Sequence, residues 1–373
     1  MPRRISDDMH CRMHTQYKII RSLTRSHLHY IPVFHSQSMD RMGKADTHVH
    51  TCYSGFTNLS VMKFPESVTS PEKQVDRARR NGMNVICITD HNAVNGAFKA
   101  QKYAKQFDDI DVVVGNEIMT NDGEIIGFGL TEDVKSFMTI EETVDAIRDQ
   151  GALTIAPHPF SFHVHGLKEK IFDIDLDAFE VINGGHPDLY SNHFAQMVMD
   201  RFPGRWAPIS ASDGHSNFTV GYNWTEFEGS TEDDLRKAIL QKKTVPMGQP
   251  APVLSEVQWS YEVVMGGQRL LMKGLRGKLD PVPDNKLISK VLSLPDLYKI
   301  AGLLGGMMYM MPPIPFLATF LSVTFLKHGA KRMNADAEDR LEEIAKIIEG
   351  HDESIARALD EKGDRDEARV GTL

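Results

Sequence analysis

Short apolar runs recur along residues 45–250: Val85-Ile-Cys-Ile-Thr, Val112-Val-Val-Gly, Ile125-Ile-Gly-Phe-Gly, Leu153-Thr-Ile-Ala and Phe179-Glu-Val-Ile, with Trp206-Ala-Pro-Ile-Ser a weaker member. They are mostly continuous rather than alternating, the pattern of strands buried on both faces. Helical segments lie between them. One begins at Pro71 behind Ser70 as N-cap and ends at Gly82, with proline in the first turn and glycine past the last. Another starts from a capping box, Thr139 with Glu142, and stops at Gly151. Strand–helix alternation of this kind predicts an α/β barrel whose site is built from loops at the C-terminal ends of the strands. The span is short for eight strand–helix units, so a reduced or distorted barrel is expected.

The rest of the chain reads differently. Residues 1–44 are rich in Arg, His and Ser with little apolar periodicity, an extension expected to be disordered, and translation starting at Met42 is the preferred reading. Residues 251–299 read as a linking or associated segment. Residues 300–326 form an uncharged run of 27 residues that Pro312, Pro313 and Pro315 divide into halves. Each half is too short to span a membrane alone. Lys286, Lys290 and Lys299 precede the run, and Lys327, Lys331 and Arg332 follow it. A hairpin dipping into one membrane leaflet and a helical hairpin packed on protein both fit. Residues 327–373 form a highly charged tail with Leu341, Ile344, Ile348, Ile355 and Leu359 at helical spacing, suited to self-association or to packing on the barrel.

Charge and cysteines narrow the classes. The formal net charge of -9 over 373 residues excludes a bulk nucleic-acid binder, which needs a basic surface to displace counterions. Cys11, Cys52 and Cys87 show no Cys-x-x-Cys spacing, which points to a reducing compartment. Cys52 reads as a small buried strand residue. A cytoplasmic protein associated with the inner face of the membrane is expected.

The chemistry sits where the apolar runs end. In His48-Val-His50 the two imidazoles of an extended strand emerge on one face, as two ligands of one divalent ion require. Thr89-Asp90-His91, Asn116-Glu117, Pro157-His158-Pro159 and Ser212-Asp213-Gly214-His215 close four further runs. A buried carboxylate at Glu117 would be costly without a metal or cationic partner. Together these residues predict a polynuclear metal site at a barrel mouth. For Asp90, ligation and turn capping both stand. His163, His165 and His186 fit a polar loop better than a ligand set, and Lys168, Lys170, Arg201 and Arg205 are candidates for phosphate contacts. No Gly-x-Ser-x-Gly elbow or Walker-type loop is present.

These motifs, taken in order, resemble the polymerase-and-histidinol-phosphatase (PHP) family of metal-dependent phosphoesterases: Asp46-Thr-His-Val-His, Ile88-Thr-Asp-His, Gly115-Asn-Glu-Ile, Ala156-Pro-His-Pro-Phe and Ser212-Asp-Gly-His. The resemblance covers residues 45–250. It implies a distorted (β/α)7 TIM-like barrel, here followed by the hydrophobic hairpin and the charged helical tail. It also implies two or three divalent ions, Mn, Zn or Fe. By analogy His48, His50, Glu117 and Asp213 hold the first ion, and Glu117 bridges to a second that His158 also binds. His91 and His215 face a third position, and Asp46 orients a ligand imidazole from the outer shell. Two positions depart from the family pattern. Gly55, beside Ser54, stands where a third-metal ligand is usual, and Glu124 stands where a histidine is common. A carboxylate there shifts preference from Zn towards Mn, Fe or Mg, although a solvated turn residue is an equal alternative for Glu124.

The implied reaction is hydrolysis of a phosphate ester by a hydroxide bridging two divalent ions, with Asp213, His215 and Glu117 at the catalytic step. The proton for the leaving oxygen is expected from His215, His163 or a metal-bound water. Monophosphates, nucleotides and short oligonucleotides are the expected substrates. Hydrolysis of a C–N bond on the same barrel, and a degenerate metal- or nucleotide-binding regulatory module, are the alternatives.

Overall fold

A computed structural model of the chain describes residues 42–59, 62–188 and 190–350. Cys11, most of the N-terminal extension, and the tail positions Ile355 and Leu359 lie outside the described residues. The elements of residues 42–250 are β1 (Met42–Val49), β2 (Phe56–Leu59), β3 (Met62–Pro65), α1 (Pro71–Arg80), β4 (Val85–Ile88), α2 (Asn95–Ala104), β5 (Asp111–Met119), β6 (Glu124–Phe128), α3 (Ile140–Asp149), β7 (Leu153–Ala156), β8 (Ala178–Asn183), α4 (Ser191–Arg201), β9 (Ala207–Ala211), β10 (Asn223–Glu228), α5 (Glu232–Leu240) and β11 (Val245–Gly248). Four helices follow: α6 (Val253–Leu275), α7 (Lys286–Ser293), α8 (Asp296–Tyr309) and α9 (Ile314–Ala335).

The main sheet has the order β11-β10-β1-β4-β5-β6-β7-β8-β9. Seven of its strands, β1 and β4 to β9, form a nearly closed, distorted barrel. Pairing is parallel from β1 to β5 and from β7 to β9, whereas β6 runs antiparallel to both of its neighbours. The reversal follows from the tight turn at residues 120–123, where Thr120 N donates to Gly123 O at 2.8 Å. It carries the first residue of β6, Glu124, to the end of the barrel where the parallel strands finish.

Closure comes where β1 and β9 end. Val49 bridges Gly214 in the parallel sense. His50 N donates to Gly214 O at 3.1 Å, and Gly214 N donates to His48 O at 3.2 Å. Further down, the Thr225 hydroxyl of β10 both accepts from Ser210 N (2.9 Å) and donates to Ser210 O (2.8 Å). An inner cluster that includes Ala45, Val85, Cys87, Val113, Phe128, Ile155 and Ile209 fills the barrel. A second apolar layer, with Val75, Ala97, Ile147 and Val198, packs the helices on its outside.

The predicted local signals are present. The capping box pairs Glu142 N with the Thr139 hydroxyl and Thr139 N with the Glu142 carboxylate. Pro71 opens α1, although the Ser70 side chain makes no cap hydrogen bond. The segment expected as a linker, 251–299, is largely helical. The apolar run ends at residue 326, but the helix that carries its second half does not, because α9 continues through Lys327, Lys331 and Arg332. Among the described residues no single helix is long and apolar enough to cross a membrane; α8 and α9 reach that threshold only as a pair, bent by 79°.

If the Thr225 hydroxyl closes the barrel, Thr225→Val should lower stability by about 2 kcal/mol, the cost of leaving buried backbone groups unpaired. Urea unfolding followed by circular dichroism measures this, and an unchanged midpoint would show that closure does not depend on Thr225.

Candidate metal centre

Each ligand candidate is delivered by the end of a strand. His48 and His50 come from the end of β1, His91 follows β4, Glu117 lies in β5 and Glu124 opens β6. His158 follows β7, and Asp213 and His215 follow β9. The eight residues fall into overlapping groups of three whose ligand atoms lie within 4.8 Å of one another: His50 with His91 and His215, His48 with His50 and Glu117, His48 with His158 and Asp213, and His91 with Glu117 and Glu124. All eight sequence-predicted residues thus come together.

Glu117 is the centre of this arrangement. Its Oε2 lies 3.3 Å from both His48 Nε2 and His50 Nε2 and 3.0 Å from His91 Nδ1, while Oε1 lies 3.1 Å from His158 Nε2. The two Nε2 atoms of His48 and His50 are only 2.9 Å apart, and Asp213 Oδ1 is 3.5 and 3.3 Å from them. His158 and Asp213 adopt φ of 27° and 50°, a left-handed conformation that side-chain-bearing residues avoid unless their surroundings enforce it.

The surroundings hold the rings by their far nitrogens. His48 Nδ1 lies 2.8 Å from Glu180 Oε1, and His50 Nδ1 lies 2.7 Å from Ser54 Oγ, which donates to Asp90 Oδ1 at 2.9 Å. With each Nδ1 as the protonated nitrogen, both Nε2 lone pairs face one point, the tautomer that metal ligation needs. Glu180 also accepts from His158 N and from Asn183 Nδ2, both at 2.8 Å. This corrects the expectation for Asp46. Its carboxylate accepts from Ser212 N at 3.0 Å and so ties β1 to the end of β9, while the outer-shell partner of a ligand imidazole is Glu180. Asp90 is likewise occupied, accepting from Thr51 N (2.6 Å), Thr51 Oγ1 (2.7 Å) and Ser54 Oγ (2.9 Å). It clamps the loop after β1, and a Cβ on Gly96 would approach its Oδ2 to 1.9 Å.

Other expectations resolve by geometry. His186 bonds Asn183 Oδ1 and Ser161 Oγ, both at 2.8 Å, and both of its nitrogens are used. The His163 ring lies tilted against it, with ring centroids 4.6 Å apart, and neither belongs to a ligand group. Lys170 pairs with Asp122, Arg201 with Glu349, and Arg205 donates to Phe172 O; all three are engaged away from the cluster. Lys286 was missed, yet its Nζ donates to His91 O and Asn92 O at 3.3 and 3.4 Å, on the rim of the cluster. Glu66, at the end of β3, was also missed; its Oε2 lies 3.3 Å from His91 Nε2. Gly55, just before β2 with φ of 103°, accepts from Glu66 N at 3.2 Å through its carbonyl.

The residues fit divalent metal. The donor set is imidazole and carboxylate, which suits Mn, Fe and Zn. Buried Glu117 Oε2 and His158 Nδ1 lack a hydrogen bond, and a buried acceptor left without a donor is costly unless an ion satisfies it. The electrostatics agree. Burial opposes charge on His50, but its bonds to Asp213 and Glu117 prevail and push it up to about 10. Burial is likewise outweighed at His158, raised to about 9 chiefly by Glu117, and at His48, held well above its ordinary value by Asp213, Glu117 and Glu180. Burial, reinforced by the charge of Glu117, raises Glu124 to about 8. Burial, with the charge of His50, lowers His91 to about 4 and His215 to about 3.

Residues 46–127 match the PHP domain. Two proteins of Methanocaldococcus jannaschii are similar over most of their own length. Uncharacterized protein MJ1587 is 45% identical over 152 residues, which is 41% of this chain and 88% of that protein. Uncharacterized protein MJ1588 is 38% identical over 112 residues, 30% of this chain and 94% of that protein. The chain belongs to the PHP domain family. Among solved structures, PsfC from Pseudomonas syringae PB-5123 is similar over 70% of this chain and 99% of its own, with 14% identity and a TM-score of 0.43. A PHP-family chain with this cluster is a metal-dependent hydrolase.

Two outcomes follow. Protons on His48, His50, His158 and Glu124 compete with metal at neutral pH, so binding must release them and affinity must rise with pH from about 7 towards 10. Calorimetry in buffers of different ionisation enthalpy counts the protons released; none released would contradict the assignment. Glu180→Gln keeps the shape but weakens the grip on His48, and should lower metal affinity about 10–100-fold, read by competition with a chromogenic chelator. Unchanged affinity would leave Glu180 a purely structural residue.

Proposed function

We propose that the barrel mouth hydrolyses a phosphate ester, with Glu117 shared between two divalent ions. The observation that carries this reading is the division of Glu117, one oxygen facing His48 and His50 and the other facing His158. His48, His50 and Asp213 would hold one ion, and His158 and Glu124 the other, with His91 and His215 facing a third position. Bound there, the ions would lower the pKa of a water and offset charge developing on phosphoryl oxygens.

The chain's own residues do the positioning. Asn183 Nδ2 bonds Asp213 Oδ2 at 3.2 Å and leaves Oδ1 towards the histidines. His215 Nδ1 lies 3.0 Å from Asp213 O, which turns Nε2 to a ligand. Because burial keeps His215 unprotonated at neutral pH, it suits ligation better than donation to a leaving oxygen. Trp259, 6.3 Å from the His215 ring, walls the site with an apolar surface. Lys286 brings an ammonium to the rim, where an anionic ester would approach. Glu124 in place of an imidazole favours Mn or Fe over Zn. The substrate is a small phosphorylated molecule: a monophosphate, a nucleotide or a short oligonucleotide.

The test strips the full chain of metal, reloads it with Mn, Zn or Fe, and follows phosphate release from a panel of esters. Metal-dependent turnover is expected, with Asp213→Asn reducing it at least about a hundredfold. Turnover of amides but not esters would replace this reading with C–N bond hydrolysis. Tight metal binding without turnover of either would replace it with a regulatory module.

A further inference from the structure

The bent pair of helices α8 and α9 exposes an apolar surface out of keeping with the well-packed barrel. Phe325 is 76% exposed, Leu297 75%, and Phe320, Met307 and Met308 63% each. Leu304, Phe316, Leu317 and Leu321 are exposed on the same two helices. Contiguous exposed apolar surface of this kind marks an interaction site rather than an ordinary monomer surface.

Three observations identify what covers it. The first is length. No charged residue occurs between Lys299 and Lys327. The apolar part of α8, residues 300–309, rises about 15 Å, and that of α9, residues 314–326, about 20 Å. One leaflet of a bilayer core is about 15 Å deep and the whole core about 30 Å. Neither arm is long enough to span, and the 79° bend between them suits a pair lying along one leaflet. The second is charge. Residues 253–335 hold ten Lys and Arg against five Asp and Glu, in a chain of net charge -9. Exposed Lys286, Lys290, Lys327, Lys331 and Arg332 flank the apolar stretch in sequence, charges that anionic headgroups would attract.

The third is attachment. α8 packs along α6, with Gln268 Nε2 donating to Leu303 O at 3.2 Å and a Cβ on Gly302 reaching Leu271 at 2.9 Å. After the bend, Phe316 meets Tyr261 of α6, ring centroids 6.4 Å apart. At its far end α9 places Gly329 against Phe162 in the loop after β7, and Ala330 is fully buried. The α8–α9 pair is thus held by α6, which carries Trp259 beside His215, and by a loop that follows a site strand.

We propose that the exposed apolar side chains of the bent α8–α9 pair bury themselves in one leaflet of an anionic phospholipid membrane and dock the mouth end of the barrel on its surface. This inference does not depend on the reaction assigned to the site.

The test is flotation of the full chain with vesicles of phosphatidylcholine alone or mixed with phosphatidylglycerol. The protein should float with the mixed vesicles, and less with phosphatidylcholine or at high salt. A Phe320→Asp, Phe325→Asp variant should lose roughly tenfold or more in partitioning to both. A Lys327→Glu, Lys331→Glu, Arg332→Glu variant should lose roughly tenfold on the anionic vesicles alone. These side chains are exposed, and unchanged circular dichroism and metal content verify the fold of both variants. Wild-type protein that stays at the bottom of both gradients would overturn the proposal. So would concentration-dependent self-association that Phe320→Asp, Phe325→Asp abolishes without any vesicle binding, which would assign the surface to a second copy of the chain.

Discussion

The short backbone seam between the ends of β1 and β9 is the constraint on which the site depends. His48 and His50 lie near the start of the barrel and Asp213 near its end, more than 160 residues apart in sequence. Two hydrogen bonds through Gly214, with Asp46 accepting from Ser212 N, join those ends. Asp213, facing both Nε2 atoms, adopts a left-handed conformation. Such strain persists where surrounding hydrogen bonds enforce it, and its presence at two ligand candidates fits a site shaped for binding rather than for stability.

The seam creates an electrostatic problem that the rest of the mouth answers. Glu117 and Asp213 are buried, and isolated carboxylates there would neutralise themselves. Instead the surrounding imidazoles hold both well below the usual carboxylate range against the pull of burial. Glu180 and the Ser54–Asp90 pair then fix which nitrogen of His48 and His50 points inward.

Much of this could be read from the chain because strand ends and ligand positions coincide. An apolar run followed by His, Asp or Glu is visible without any structure, and His91, Glu117, His158, Asp213 and His215 were found that way; His48 and His50 followed from their spacing, and Glu124 from the family resemblance. What escaped had no such signature. Glu180 sits inside a buried strand, and its role depends on the register shift between β8 and β9; the one charged residue within Phe179-Glu-Val-Ile was the available clue. Glu66 belongs to the short β2–β3 pair, whose segments lack apolar periodicity. Asp46 looked like the partner of an imidazole because it is two residues from His48, but same-face neighbours on a strand need not touch through their polar atoms. Strands β10 and β11 were unread because each carries only a few apolar residues. Glu124 was ambiguous in sequence, since its place at the mouth follows from the reversed direction of β6.

The central claim is that Glu117 joins two ions in one centre. Metal content of the purified full chain, by inductively coupled plasma mass spectrometry, set against Glu117→Gln, tests it most directly. The account predicts at least two divalent ions per chain and loss of both in the variant, with the fold retained by circular dichroism. A chain that holds one ion or none, or a variant that keeps its full complement, would contradict it.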